Sequence, residues 1–247
     1  MRDLIAAEWL KIRSLRSTRW TIPLTTAAVI GSAAFAANAK PPTDELSLSD
    51  GFPLAGYLAL IVVATSFGAS TMLGEYSSGL IRATAVAVPA RHEVVLAKAA
   101  VVAAVWAVAG AIMAAGSFTV AGLILGEVTF DRPGTAAALA AAALIAPVSA
   151  LVGLALAVLV RHSAAVYVSG ILLLVLLPQL FGTHQELTRA VNHGTLVSGW
   201  QRLTQSYGPP EAVGEIYATA TQAWLAYALW PLILLTAALL VHRRRDI

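Results

Sequence analysis

Long apolar runs alternate with short polar segments along the chain, and six runs approach or exceed the length of a membrane span. They cover residues 20–39, 54–73, 99–125, 135–160, 163–181 and 221–241. Crossing a hydrocarbon layer of roughly 30 Å takes about 20 apolar residues at 1.5 Å each. Only helices and closed barrels satisfy every backbone polar group in lipid, and the period-two alternation of barrel strands is absent. The pattern predicts an all-α polytopic membrane protein: a single transmembrane domain over 1–247 with six transmembrane helices.

Composition agrees. Hydrophobic residues make up 58% of the chain and charged residues 12%, where a soluble domain carries about 25% charged. Mean hydropathy is +0.77. The charged side chains fall outside the runs or at their edges, as expected when a mid-span charge costs about 2.5–3.5 kcal/mol. Cysteine is absent, which excludes disulfides and thiolate metal sites.

The placement of positive charge sets the orientation. With six spans, both ends share a side. That side carries Arg2, Lys11, Arg13, Arg16, Arg19, Arg82, Arg91, Lys98, Arg161, Arg243, Arg244 and Arg245; the other carries Lys40, Arg132, Arg189 and Arg202. Lys and Arg mark the cytoplasmic side, so both termini and residues 74–98 are expected there. The first run ends in "AFAANAK", which has the small-residue pattern of a signal-peptide cleavage site. The long charged stretch before it and the length of the run favour an uncleaved span. The basic residues flank apolar runs instead of lining a face with aromatics, so no nucleic-acid partner is expected.

The segments outside the runs have their own patterns. In "MRDLIAAEWLKIRSLRSTRW", Ile5, Trp9 and Ile12 recur at i, i+4 and i+7, with Arg2, Lys11, Arg13 and Arg16 mostly off that stripe. The spacing predicts an interfacial helix over 1–19, lying in the headgroup plane of the bilayer. Residues 182–220 mix polar positions with Trp200, Tyr207 and Tyr217, and are expected to form short, re-entrant helices in the outer interface. Ala- and Gly-rich stretches such as "AVAGAIMAAGSF" suit close helix packing. Pro147 and Pro178 are expected to kink their helices.

Catalytic chemistry is not legible. The three lysines, Lys11, Lys40 and Lys98, do not follow glycine, so a phosphate-binding loop of the G-x-x-x-x-G-K-[ST] type is excluded. His92, His162, His184, His193 and His242 are scattered and lack the paired spacing of a zinc site. No G-x-S-x-G turn occurs. The chain therefore reads as a non-enzyme, with no cofactor or metal of its own, whose energy comes from elsewhere.

The polar segment "GEYSSGLIRATAVAVPARHEVVLAKA", residues 74–99, is the candidate entry point. Gly74 and Gly79 can end the second span, "LIRATAVAV" can form a short helix along the inner surface, and Pro89 suits the first turn of the next helix. Lys98 is expected to snorkel from the start of the third span.

These residues carry a resemblance. The pattern at Glu75, Tyr76, Gly79, Ile81, Arg82, Thr84, Pro89, Arg91, Val94, Leu96, Ala97 and Lys98 resembles that of type-2 ABC-transporter permease subunits, and "AEWLKIRSLRS" at 7–17 resembles their start. The resemblance implies the permease of a bacterial ABC exporter in the plasma membrane. It implies a cytoplasmic ABC ATPase subunit as partner, holding ATP and Mg, and a second permease subunit completing a homo- or heterodimer. It assigns coupling to the ATPase to Glu75, Tyr76, Gly79, Arg82, Thr84, Pro89 and Arg91, in a short coupling helix between helices 2 and 3. Trp9 and Lys11 take a supporting role in the interfacial helix. Another class stays open: a non-transporting membrane sensor or immunity-type protein that binds a ligand at 182–220. An intramembrane enzyme is disfavoured for want of paired catalytic groups.

Overall fold

A computed structural model describes residues 2–14, 16–40, 47–79, 91–126, 133–181, 185–208 and 217–244. Among these the protein is all helix, without strands. The helices are α1 (Arg2–Ser14), α2 (Arg16–Asn38), α3 (Leu54–Ser77), α4 (Arg91–Leu125) and α5 (Thr135–Val160). They are followed by α6 (Ser163–Leu180), α7 (Glu186–His193), α8 (Leu196–Leu203) and α9 (Ala220–Arg244). Six of them, α2 to α6 and α9, are long and apolar enough to cross a membrane.

Helix α5 is the centre of the bundle and packs against α3, α4 and α9. It buries 72% of its most apolar stretch, against 22%, 22% and 17% for α2, α6 and α9. The three peripheral helices are therefore the ones that face lipid or another protein. Small residues bring the central helices together: a Cβ on Gly68 would lie 1.8 Å from the carbonyl oxygen of Ala150, and one on Gly153 would lie 1.9 Å from that of Thr65. The backbones of α3 and α5 touch reciprocally at these two notches, the close approach that small residues allow in lipid.

The prolines act differently from one another. Pro147 sits buried inside an unbroken α5. At Pro178 the missing N–H cannot bond the carbonyl of Leu174, and α6 accommodates the gap with a π turn over Leu172–Leu176, a known response of helices to a disturbed bond ladder.

Helices α7 and α8 close the end of the bundle opposite α1. Asn192 of α7 donates from Nδ2 to the carbonyls of Pro178 and Phe181, at 2.9 and 2.8 Å, and so satisfies the end of α6. Helix α8 buries Leu196, Val197 and Trp200. The Trp200 ring stacks on Tyr57, with centroids 5.1 Å apart, and Phe52 and Phe118 extend the aromatic layer.

Gly74 does not end the second span as expected, since α3 runs through it to Ser77. On α1, Ile5 and Trp9 of the apolar stripe are 38% and 48% exposed, while Ile12 and Glu8 turn inward, each at 4%. Helix α1 thus packs a charged side chain, as well as an apolar one, against the bundle.

Candidate coupling site

The end of α3 shows why the chain turns where it does. The hydroxyls of Ser77 and Ser78 donate to the carbonyl of Gly74, at 3.1 and 2.7 Å. Gly79 follows at φ +69°, the left-handed position that glycine takes after a helix C-terminus. A Cβ there would meet nothing within 4 Å, so the requirement at Gly79 is conformational, not one of space.

Just inside that end, four charged side chains from three helices meet. Lys98 of α4 donates to Glu8 Oε2 of α1 at 2.5 Å and to Glu75 Oε1 of α3 at 3.0 Å. Lys11 of α1 donates to Glu8 Oε1 at 2.6 Å and to the same Glu75 oxygen at 2.8 Å. Two carboxylates and two ammonium groups form a closed, neutral ring. Lys98, Glu8 and Glu75 are 2%, 4% and 5% exposed, so only Lys11 faces solvent. Burial works to lower the Lys11 pKa, but its hydrogen bonds and charge interactions with Glu75 and Glu8 outweigh that and hold it above the ordinary lysine value.

Local helix preference does not explain these charges. Glu75 sits in the last turn of α3, where the exposed carbonyls disfavour a carboxylate. Its reason for being there is the pairing across helices. Removing one member of a buried pair leaves an uncompensated charge and costs about 3–5 kcal/mol, so the ring's ion pairs tie α1 to the end of α3 and the start of α4. Further along α3, the reciprocal glycine notches hold it against α5.

The site residues read from sequence divide as follows. Glu75 and Lys11 are in the ring. Tyr76 stands beside it under Arg161, whose guanidinium carbon lies 5.2 Å from the ring centroid. Arg161 itself ends α5 at φ +58°, in the left-handed cap position. Trp9 is 48% exposed. Arg82, Thr84 and Pro89 lie outside the described residues, and Arg91 is described only as the first residue of α4.

Lys98 does not snorkel outward; its ammonium is buried among carboxylates. Helix α4 has 35 residues, about 52 Å at 1.5 Å each, longer than a roughly 30 Å hydrocarbon layer. There is length for its first turns to project beyond the layer and meet α1. Glu8 was missed in the sequence. Its signal was there: it lies three residues after Ile5 and four before Ile12, an acid on the apolar stripe of a helix.

A six-span helical bundle whose central, tightly notched helices are tied to a short terminal helix by buried charge defines a class: a polytopic membrane protein. The family follows from comparison with known sequences. The model of the ABC-2 family transporter proteins matches residues 4–179, well over half the chain, and the protein belongs to that family. The match spans α1 to α6 and includes all four members of the ring; α7, α8 and α9 lie beyond it. Comparison with curated proteins gives no match. The chain is thus a multi-pass membrane protein with a permease role in ABC transport, from a family whose usual location is the bacterial plasma membrane and whose members work with an ABC ATPase.

Proposed function

We propose that the chain is the permease of an ATP-driven exporter, with ATP and Mg bound by a separate cytoplasmic ATPase subunit. Both termini and residues 74–98 face the cytoplasm in this reading, as the distribution of Lys and Arg supports. Glu75, Tyr76, Gly79, Arg82, Thr84, Pro89 and Arg91 form the coupling segment on which the ATPase pushes. A second permease subunit, identical or related, completes the transporter, and 182–220 forms its outer, re-entrant cover.

The observation that carries this reading is the buried Glu8–Lys11–Glu75–Lys98 ring. It fastens α1 to both helices that flank 74–98. A push on the segment between α3 and α4, or on α1, is delivered to all three at once, and a joint without buried charge would let them slip.

The test is affinity purification of the full chain in mild detergent, followed by ATPase measurement in proteoliposomes. A soluble ATPase should co-purify, and Arg82→Glu should leave the protein in the membrane while separating ATP hydrolysis from transport. A chain that brings down no ATPase, yet binds a ligand at 182–220, would instead be the sensor or immunity-type protein.

A further inference from the structure

The two-residue connection from α5 to α6 places an arginine where a glycine would ordinarily stand. Arg161 caps α5 at φ +58°, and its backbone N–H bonds the carbonyl of Ala157 at 3.1 Å. Glycine suits such a left-handed cap because it has no Cβ to crowd the backbone. A long cation held in that conformation points to work for its side chain.

Two plain roles do not account for that side chain. A cation at a helix C-terminus can bond the last carbonyls, and an arginine at a membrane edge can reach into water. One edge of the Arg161 guanidinium does neither: Nε and Nη2 are both buried, and neither has a hydrogen-bond partner. Their N–H groups point the same way and form the fork that grips two oxygens of a phosphate or carboxylate. The guanidinium carbon lies 5.2 Å from the centre of the Tyr76 ring. Stacking on a ring face eases the charge and leaves the in-plane N–H bonds unmade. Burial without an acceptor is a poor arrangement for such a group.

The neighbouring acids are already committed. Glu75, next to Tyr76 in the chain, is shared by Lys11 and Lys98, and Glu8 is shared by the same two. The neutral ring has no charge to spare, and Arg2, Arg13 and Arg19 stand exposed around this end of the bundle. Beyond Arg161 the chain enters α6, one of the three peripheral helices. Its first turn offers small, exposed residues, Ser163, Ala164 and Ala165. Below them Val168, Ile171 and Leu172 form an exposed apolar face. A cation at the membrane edge above an apolar helix face matches a phospholipid, with its charged head above its chains. A soluble anion would use the fork and leave the face bare.

We propose that Arg161 binds the phosphate of an anionic phospholipid in the leaflet at the ring end, with the acyl chains lying along α6. Basic corners between spans on the cytoplasmic side suit such headgroups. Arg161 is half-buried, and its flexible stem can carry the fork from Tyr76 to the edge of the turn. Two charge-assisted hydrogen bonds there replace a position without an acceptor, which favours the move. The site goes beyond the permease reading and stands without it, since it needs only a bundle that spans the membrane.

The test is native mass spectrometry of the full chain, purified in mild detergent and stripped of lipid. It is titrated with phosphatidylglycerol or phosphatidylcholine of the same acyl chains. The parent chain should bind one phosphatidylglycerol about tenfold more tightly than phosphatidylcholine, as one charged fork allows. Arg161→Lys keeps the charge and removes the fork; Arg161→Gly also relieves the cap. Both should lose the preference, and the lysine variant decides alone if the glycine variant does not fold. Arg13→Gln removes an exposed charge at the same end and should keep the preference. Equal binding of the two lipids, parent-like binding by Arg161→Lys, or an equal loss in Arg13→Gln overturns the inference. Inorganic phosphate that displaces the lipid at equal concentration makes the ligand a soluble phosphate and overturns the lipid assignment. Arg161 variants that bind lipid normally but no longer co-purify with an ATPase would make the acceptor a protein carboxylate, which overturns it too.

Discussion

Replacing Lys98 with methionine is the sharpest perturbation of the ring. The side chain is 2% exposed and its ammonium bridges Glu8 and Glu75. Methionine keeps much of the length and apolar stem but removes the charge, leaving two buried carboxylates to share the half-exposed Lys11. Breaking a buried pair in this way costs about 3–5 kcal/mol, against a total stability for most proteins of about 5–15 kcal/mol. At about 2–4 °C per kcal/mol for a chain of this size, Lys98→Met should lower the midpoint of thermal unfolding in detergent by on the order of 10 °C. A second substitution separates lost pairing from lost packing. Glu8→Leu alone should also destabilise, because it leaves an excess of buried positive charge. Lys98→Met/Glu8→Leu removes one charge of each sign and leaves Lys11 with Glu75, so it should recover most of the loss, since apolar replacement of a buried pair is often neutral. Unfolding followed by size-exclusion retention reads all three variants. If Lys98→Met unfolds within 1 °C of the parent chain, or if the double variant is as unstable as the sum of its parts, the ring does not hold the helices as described.

Lys11→Met should cost less, about 1 kcal/mol or below, because Lys11 is solvent-exposed on one side and screened there. Its raised pKa fixes the sign of the pH dependence: the contribution is fully present below the ordinary lysine value of 10.5 and is lost as pH rises through the raised value. The difference between the parent and Lys11→Met should therefore be flat from about pH 7 to 9 and narrow only in strong alkali; pH-dependent unfolding curves check this. Gly153→Ala drives a Cβ to 1.9 Å from the Thr65 carbonyl oxygen and should destabilise by at least about 1–3 kcal/mol, visible as a lower unfolding midpoint and aggregation on size exclusion. Trp200→Ala empties the stack on Tyr57 and should cost about 3–5 kcal/mol; unfolding of the same kind measures it, while co-purification of the ATPase should persist.

The six spans were legible because lipid leaves a chain few choices. A run of apolar residues long enough to cross must be helical, and its length and lack of mid-span charge are written in one dimension. Glu75 and Lys11 were singled out through their motif as residues of ATPase coupling; that they pair with each other was not legible there. The role of Glu8 was not, although an acid on the stripe of Ile5 and Ile12 hinted at it, because a carboxylate on an apolar face becomes meaningful only when its cations are known. Those cations come from Lys11, three residues away, and from Lys98, ninety residues away.

The sequence by itself determined that this is an all-helical membrane protein, how many times it can cross, and which polar segment lies between the second and third spans. Only the tertiary structure decided that Lys98 turns inward and that α3 and α5 meet backbone to backbone at Gly68 and Gly153. The reason is the range of the forces. Transfer of a residue into lipid depends chiefly on its own side chain and near neighbours along the chain. Charge pairing in a dry interior, and the close approach of two helices, depend on partners that only folding brings within a few ångströms.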